Sequence, residues 1–282
     1  MSFRTTTETN AADLYLDLLK KCLTRELLEE PHQALEGTSG QRWKRALLSV
    51  SQLMLSRTKL ELVRNVPFDR EARMEGRDWP IRAETMVGRR RLDNIEYCVS
   101  EVLSEGIPGD LMETGVWRGG SVILMRAILK AYCDVERTVW VADSFRGLPP
   151  PDPARYPQDL DDRLFEHQEL AISIEEVKAN FERYGLLDGQ VRFLPGWFDD
   201  TLPNAPVDRL AVLRLDGDMY QSTIVALDAL YPRLSVGGFV IIDDYGAMAS
   251  CRAAVADYRK AKDIDDPIEI IDWSGVFWRR TR

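Results

Sequence analysis

Two hydrophobic runs in this chain stop abruptly at acids. Val212-Leu-Arg-Leu-Asp-Gly-Asp-Met-Tyr220 delivers Asp216 and Asp218, and Phe239-Val-Ile-Ile-Asp-Asp-Tyr245 delivers Asp243 and Asp244. Burying a carboxylate is costly unless it is paired, hydrogen-bonded or bound to a metal. The carboxyl ends of buried strands are also where open α/β sheets build ligand sites. Asp216, Asp243 and Asp244 are therefore candidate ligands for a hard divalent cation, with Asp218 left over for chemistry. Oxygen donors in a chain with only two histidines suit Mg²⁺ rather than zinc or copper. Asp216 and Asp218 are separated by one residue, so in an extended segment they share a face, one reaching the ion and the other an acceptor. The competing reading makes Asp216 a helix cap, puts Asp243 and Asp244 in a solvated loop, and starts the next helix at Asp218. Acids at two strand ends together favour the metal.

A second constellation lies upstream in Glu113-Thr-Gly-Val-Trp-Arg-Gly-Gly-Ser121. Gly115, Gly119 and Gly120 permit a tight turn and close approach of backbone to a ligand, and Ser121 opens a helix. Asp143, at the end of the following strand, is suited to accept both hydroxyl hydrogens of a ribose. Two ligands compete for such a turn, a dinucleotide and S-adenosylmethionine. The middle glycine of the dinucleotide fingerprint is missing, and Glu113 puts an acid beside the ligand. An anion there repels a pyrophosphate and favours a cationic sulfonium or ammonium group. Glu113 can also cap the helix at Ser121, and Trp117 and Trp197 suit either the core or a lid. The rival functions are a nicotinamide-dependent oxidoreductase built on the same turn and a non-catalytic protein whose aspartates hold a structural cation.

The elements that must position these residues alternate. After a helix from Arg91 to Leu103, strand Leu111-Met112, helix Ser121 to Tyr132 and strand Thr138 to Ala142 form a βαβ unit ending at Asp143. Helix Ile174 to Tyr184, strand Val191 to Leu194, strand Leu210 to Leu215, helix Ser222 to Leu234 and strand Phe239 to Ile242 continue the pattern. A final strand pair covers Ile268 to Ile271 and Gly275 to Trp278. Such alternation predicts an α/β fold with a doubly wound, mostly parallel sheet and an antiparallel C-terminal strand. Residues 1–84 read as a helical N-terminal cap, with Leu16, Leu19 and Leu23 at helical spacing and a second helix over Gln41 to Leu55. Residues 85–282 form the ligand-binding domain. The stretch 149–170 is long, acidic and rich in proline, as expected of a lid or acceptor loop, and its His167 could serve as a second base.

Lys plus Arg number 37 against 46 Asp plus Glu, and the net charge of -9 argues against nucleic acid or an anionic membrane as partner. Gly88-Arg-Arg-Arg91 is a basic cluster, short enough to be a solvated helix start or a substrate or subunit contact. Cys22, Cys98, Cys133 and Cys251 lie far apart, suggesting neither a zinc site nor a disulfide framework and fitting a reducing cytoplasm. The polar N-terminus and the lack of a long apolar run predict a soluble, unexported chain.

Seven segments, in order, carry a family resemblance: Tyr15-Leu-x-Leu-Leu-Lys20, Met86-Val-Gly-x-x-Arg-Leu-x-Asn94, Glu113-Thr-Gly-Val-Trp-Arg-Gly-Gly120, Asp143-Ser-Phe-x-Gly-Leu-Pro149, Leu194-Pro-Gly-x-Phe198, Leu213-Arg-Leu-Asp-Gly-Asp-Met-Tyr220 and Gly238-x-Val-Ile-Ile-Asp-Asp-Tyr245. The chain resembles the macrocin O-methyltransferases, metal-dependent enzymes that methylate sugars in antibiotic biosynthesis. The resemblance implies a Rossmann-like class I methyltransferase fold, S-adenosylmethionine as donor, Mg²⁺ as the ion, a small-molecule glycoside as acceptor and a homo-oligomer. It assigns metal binding to Asp216, Asp243 and Asp244 and the general base to Asp218. It further assigns donor contacts to Thr85, Met86, Glu113, Gly115, Ser121, Asp143, Ser144, Gly196, Trp197 and Phe198, the last three against adenine. Trp197 and the polar segment Thr58 to Trp79 depart from the family pattern, which puts the acceptor in doubt more than the reaction.

Overall fold

The computed structural model describes residues 10–28, 32–34, 58, 63–65, 68–80 and 82–282. The expected helix over Gln41 to Leu55 lies outside the described residues. Helix α1 (Ala11–Leu23) opens on a reciprocal capping box between Asn10 and Asp13, which satisfies two amides that the first turn leaves free. A short antiparallel ribbon pairs β1 (His32–Ala34) with β2 (Val63–Asn65), so the N-terminal segment is not purely helical. Helix α2 (Arg70–Glu75) precedes α3 (Arg89–Ser104).

From there the alternation read from the sequence is realised: β3 (Asp110–Thr114), α4 (Gly120–Ala131), β4 (Val139–Asp143), α5 (Ile174–Arg183), β5 (Val191–Pro195), α6 (Phe198–Thr201), β6 (Leu210–Leu215), α7 (Tyr220–Leu230) and β7 (Leu234–Ile242). Helix α8 (Ala249–Ala261) was not anticipated. It leads to the hairpin β8 (Glu269–Ile270) and β9 (Val276–Arg279). Helix α7 ends at Leu230 rather than continuing to Leu234, because Pro232 lacks the amide that an α-helix would need and the next turn is 3₁₀.

The seven strands run β5-β4-β3-β6-β7-β9-β8, with the first five parallel and β9 and β8 antiparallel. This is the doubly wound, mostly parallel sheet expected. Its inner strands β4, β3, β6 and β7 are buried on both faces, and their residues alternate between two cores. Leu111, Val139, Val141, Phe239 and Ile241 meet α1, α3, α4 and α5 through Leu16, Ile95, Ile123 and Phe181. Met112, Trp140, Leu213, Val240 and Ile242 meet α7 and α8 through Leu227 and Val255. Leu16, Leu19 and Leu23 of α1 are thus part of the main core.

Register then fixes the site. Thr114 pairs with Leu215, and Leu215 with Ile242, so Asp216 and Asp243 leave neighbouring strands side by side. Their amides continue the ladder, Asp216 N donating to Thr114 O and Asp243 N to Leu215 O, each at 2.9 Å. The sheet reverses winding between β3 and β6, and the crevice at such a point is where open α/β sheets bind ligands.

Candidate active site

Gly115 shows how closely those strand ends approach. Its φ is +82°, and a Cβ placed on it would lie 1.7 Å from the carbonyl oxygen of Asp216. Three non-glycine residues just beyond strand ends also have positive φ: Trp117 after β3 (45°), Phe145 after β4 (56°) and Asp218 after β6 (58°). Left-handed backbone outside glycine is costly and collects at functional sites. The strand ends surround a cavity of about 400 Å³, within the size range of small-molecule sites.

Met86, Gly115, Asp143, Ser144, Trp197, Phe198, Asp216 and Asp218 line that cavity, together with Trp117, Leu148 and Gln221. Thr85, Glu113, Ser121, Gly196, Asp243 and Asp244 are not in its wall. Thr85 instead packs against the start of α4, where a Cβ on Gly120 would lie 2.7 Å from the Thr85 Cβ, and its Oγ1 accepts from Val87 N at 3.0 Å. Ser121 is buried in the first turn of α4. The helix has Gly119 at its N-cap and no side-chain cap, so Glu113 does not cap it. Gly196, with φ +137°, turns the chain from β5 into the Trp197-Phe198 corner. His167 stands outside the cavity, its ring 5.6 Å from that of Trp79.

Asp143 accepts Val116 N on Oδ2 at 2.8 Å and Phe145 N on Oδ1 at 2.7 Å. Ser144 Oγ adds a long contact to Oδ1 at 3.5 Å, and a carboxylate that lines the cavity with two acceptor oxygens suits the two hydroxyls of a ribose. Burial raises its pKa and those amide hydrogen bonds oppose the rise.

Beneath the cavity is an ionic network that sequence reasoning missed. Arg214, next to the last residue of β6 and fully buried, donates through Nη1 to Glu113 Oε1 and to Asp216 Oδ2, the latter at 2.8 Å, and through Nη2 to Asp243 Oδ1. Arg91 donates to Asp243 Oδ2 and, at 3.0 Å, to Asp272 Oδ2. Within the cluster Gly88 to Arg91 only Arg90 is solvated, and Arg91 turns inward. Arg91 is 5 % exposed, because α3 points its first turn at the carboxyl ends of the sheet. An arginine between the leucines of a buried strand was the available signal for Arg214.

Asp216, Asp243 and Asp244 each offer an oxygen, and these oxygens lie within 4.8 Å of one another. Asp243 and Asp244 are buried, not in a solvated loop. Asp216 and Asp218 do face the same cavity, but not through strand alternation. The strand ends at Leu215, and the left-handed turn at Asp218 brings its side chain round while its amide donates to Asp244 Oδ2 at 3.1 Å.

The charges do not balance, since six carboxylates (Glu113, Asp216, Asp218, Asp243, Asp244, Asp272) share two guanidinium groups. Burial pushes Asp243 up, but Arg214 and Arg91 outweigh it and hold the carboxyl below its usual range. Asp244 contacts neither arginine, and burial with Asp218, Asp216 and Asp243 nearby drives it well above. Burial and Asp243 raise Asp216 to about 6 against the pull of Arg214, and burial with Asp216 and Asp243 raises Asp218 to about 8. Glu113 rises to about 8, chiefly by burial, although it touches Arg214. Arg91 shares Asp243 with Arg214, and of the three acids on Arg214 the most deeply buried, Glu113, is the one raised furthest. Hard oxygen donors with surplus negative charge are the donor set that suits a divalent cation.

The family model for the macrocin-O-methyltransferases (TylF) matches residues 12–280. The chain belongs to that family. It is 54 % identical over 274 residues, covering 96 % of this chain and 94 % of the relative, to the 8-demethyl-8-(2,3-dimethoxy-alpha-L-rhamnosyl)-tetracenomycin-C 4'-O-methyltransferase of Streptomyces olivaceus. It is 49 % identical over 280 residues, covering 99 % and 98 %, to the demethyldecarbamoylnovobiocin O-methyltransferase of Streptomyces niveus. The solved structure of the O-methyltransferase NovP superposes with a TM-score of 0.82 at 48 % identity, covering 96 % of this chain and 100 % of that one. This member of the macrocin O-methyltransferase family is thus an S-adenosylmethionine-dependent methyltransferase of class I fold, not a nicotinamide oxidoreductase. Among its described residues, no helix is long and apolar enough to cross a membrane.

Proposed function

We propose that the protein methylates a sugar hydroxyl of a glycosylated natural product, with Mg²⁺ held by Asp216, Asp243 and Asp244 and with Asp218 as general base. The observation that carries this reading is the convergence of those three carboxylates to within 4.8 Å beside Asp218 and the cavity. The rhamnosyl group in the name of the Streptomyces olivaceus relative supports a sugar as acceptor.

S-adenosylmethionine supplies an electrophilic methyl group on a sulfonium centre. A divalent cation supplies Lewis acidity that lowers the pKa of a sugar hydroxyl. The chain's own groups do the rest. Asp143 and Ser144 hold the ribose, Trp197 and Phe198 lie along the adenine, and Met86 and Gly115 complete the donor side. Thr85, Glu113, Ser121 and Gly196 support that side from behind the wall. Asp218 takes the proton of the acceptor hydroxyl. A proton affinity raised to about 8 suits a base working near neutral pH, and a cation held beside it draws that value down.

Residues 1–84 serve as the acceptor-side cap on the donor domain 85–282. Exposed Leu14 and Leu18, one turn apart on the outer face of α1, support assembly into a homo-oligomer.

Calorimetry tests the assignment. Asp216→Asn and Asp244→Asn should abolish Mg²⁺ binding and leave S-adenosylhomocysteine binding within about twofold. Methyl transfer that continues undiminished in excess chelator would overturn the metal role.

A further inference from the structure

Helix α7 begins two residues after Asp218, and its own N-terminus is uncapped. Met219 occupies the N-cap position and makes no side-chain hydrogen bond, although the amides of a first helical turn need acceptors. The acceptor comes from far upstream. Asp159, within the 149–170 loop, takes Tyr220 N on Oδ1 at 2.8 Å and Gln221 N on Oδ2 at 2.9 Å. Its side chain is buried, the residue being 1 % exposed, and an anion at a helix N-terminus also gains from the helix dipole. Tyr156 adds ring packing on Tyr220, with centroids 6.0 Å apart. Only the ends of the loop, at Pro149, Pro150 and Leu170, line the cavity, while its middle reaches across to α7.

We propose that Asp159 is a positioning residue, a clamp that couples closure of the 149–170 loop over the cavity to the placement of Asp216 and Asp218. The left-handed turn at Asp218 is anchored on one side by its own amide to Asp244. On the other side the anchor is the start of α7, which Asp159 holds. When the loop lifts, the Tyr220 and Gln221 amides lose their acceptor, and the turn keeps its bond to Asp244 and the longer one from Ser250 Oγ to Asp218 O at 3.4 Å. Gln221 extends the link into the cavity wall, its Nε2 donating to Asp199 Oδ2 at 2.9 Å. Loop closure and an ordered Asp216-Gly-Asp218 segment therefore favour each other. The catalytic consequence rests on the proposed roles of Asp216 and Asp218, whereas the clamp itself does not.

Hydrogen–deuterium exchange on the full chain tests it, comparing wild type with Asp159→Ala and Asp159→Asn. In ligand-free protein, Asp159→Ala should speed exchange about tenfold at Tyr220, Gln221 and the 149–170 loop, with β3, β4 and β6 unchanged. Asp159→Asn keeps one acceptor oxygen and should fall between the two, which also decides the matter if the alanine variant does not fold. Adding Mg²⁺ with S-adenosylhomocysteine should slow loop exchange in wild type and fail to do so in Asp159→Ala. Loop exchange equal to wild type in both variants overturns the clamp. Faster exchange spread evenly over all strands assigns Asp159 to general stability and overturns the coupling. If those ligands protect nothing at 216–221 in wild type, the metal reading fails, and the ligand-free comparison still decides the clamp.

Discussion

Replacing Arg214 with methionine removes the one group that Glu113, Asp216 and Asp243 share while keeping an unbranched side chain in β6. Taking one partner from a buried ion pair costs about 3–5 kcal/mol, because the remaining charge is left without compensation. The three acids are not equally stranded. Asp243 keeps Arg91, and the Asp216 side chain is 26 % exposed and keeps some water. Glu113 has neither, but it can hold a proton, its pKa being raised to about 8. The cost should therefore fall near the lower end, about 3 kcal/mol. At about 2–4 °C per kcal/mol for a chain of this size, the melting temperature should drop by about 6–12 °C in chelator. Mg²⁺ at about a hundredfold over its dissociation constant should stabilise wild type by about 2.7 kcal/mol. It should stabilise Arg214→Met at least as much, since the cation takes over the neutralising charge. Arg214→Lys keeps the charge but not the planar fork and should fall between. Thermal melts in chelator and in Mg²⁺ read all of this. A melting temperature for Arg214→Met within about 2 °C of wild type in chelator would refute the argument that the network is a charge-balancing platform.

Two further outcomes follow from local geometry. Gly115→Ala drives a Cβ into the Asp216 carbonyl, forcing β3 and β6 apart. It should cost about 2–4 kcal/mol and weaken S-adenosylhomocysteine binding at least about tenfold by calorimetry. Gly106→Ala is the control, since Gly106 also has positive φ (+64°) but has no atoms near its Cβ position, and should cost only about 1 kcal/mol. Asp188 receives Arg126 on both oxygens, with Nη2 to Oδ2 at 2.6 Å, and that hydrogen bonding lowers its pKa. A lowered folded-state pKa stabilises above the ordinary aspartate value, and the gain disappears as pH falls through the folded value. The side chain is 38 % exposed, so solvent screening leaves about 1 kcal/mol. Asp188→Asn should melt about 2–4 °C below wild type at pH 7, and the gap should close as pH falls from the ordinary aspartate range through the lowered folded value. A gap that persists in acid would assign the difference to packing.

Most of the parallel sheet was legible because strands buried on both faces read as unbroken apolar runs, and those runs ended where the acids began. The ends were less legible. Helix α8 has alanines where other helices have leucine or isoleucine and lies against the sheet through Cys251, Ala254, Val255 and Tyr258, too thin a stripe to declare itself. The Gly88-Arg-Arg-Arg91 cluster looked solvated because charge along a sequence carries no information about what a helix end will face. Asp218 was placed beside Asp216 for the wrong reason, strand alternation, when a left-handed turn does the work.

By itself the sequence determined the fold class, the strand ends that carry the site and, through seven ordered segments, the family. Those follow from local pattern, since hydrophobic periodicity and turn chemistry act within a few residues of each other. The tertiary structure alone decided how the charges are shared. Whether Arg214 and Arg91 sit under the aspartates, whether Glu113 faces a ligand or an arginine, and whether Asp159 caps a helix more than fifty residues ahead of it all depend on register across the sheet. They depend on distance in space as well, because electrostatic energy falls with separation between atoms and is indifferent to separation along the chain.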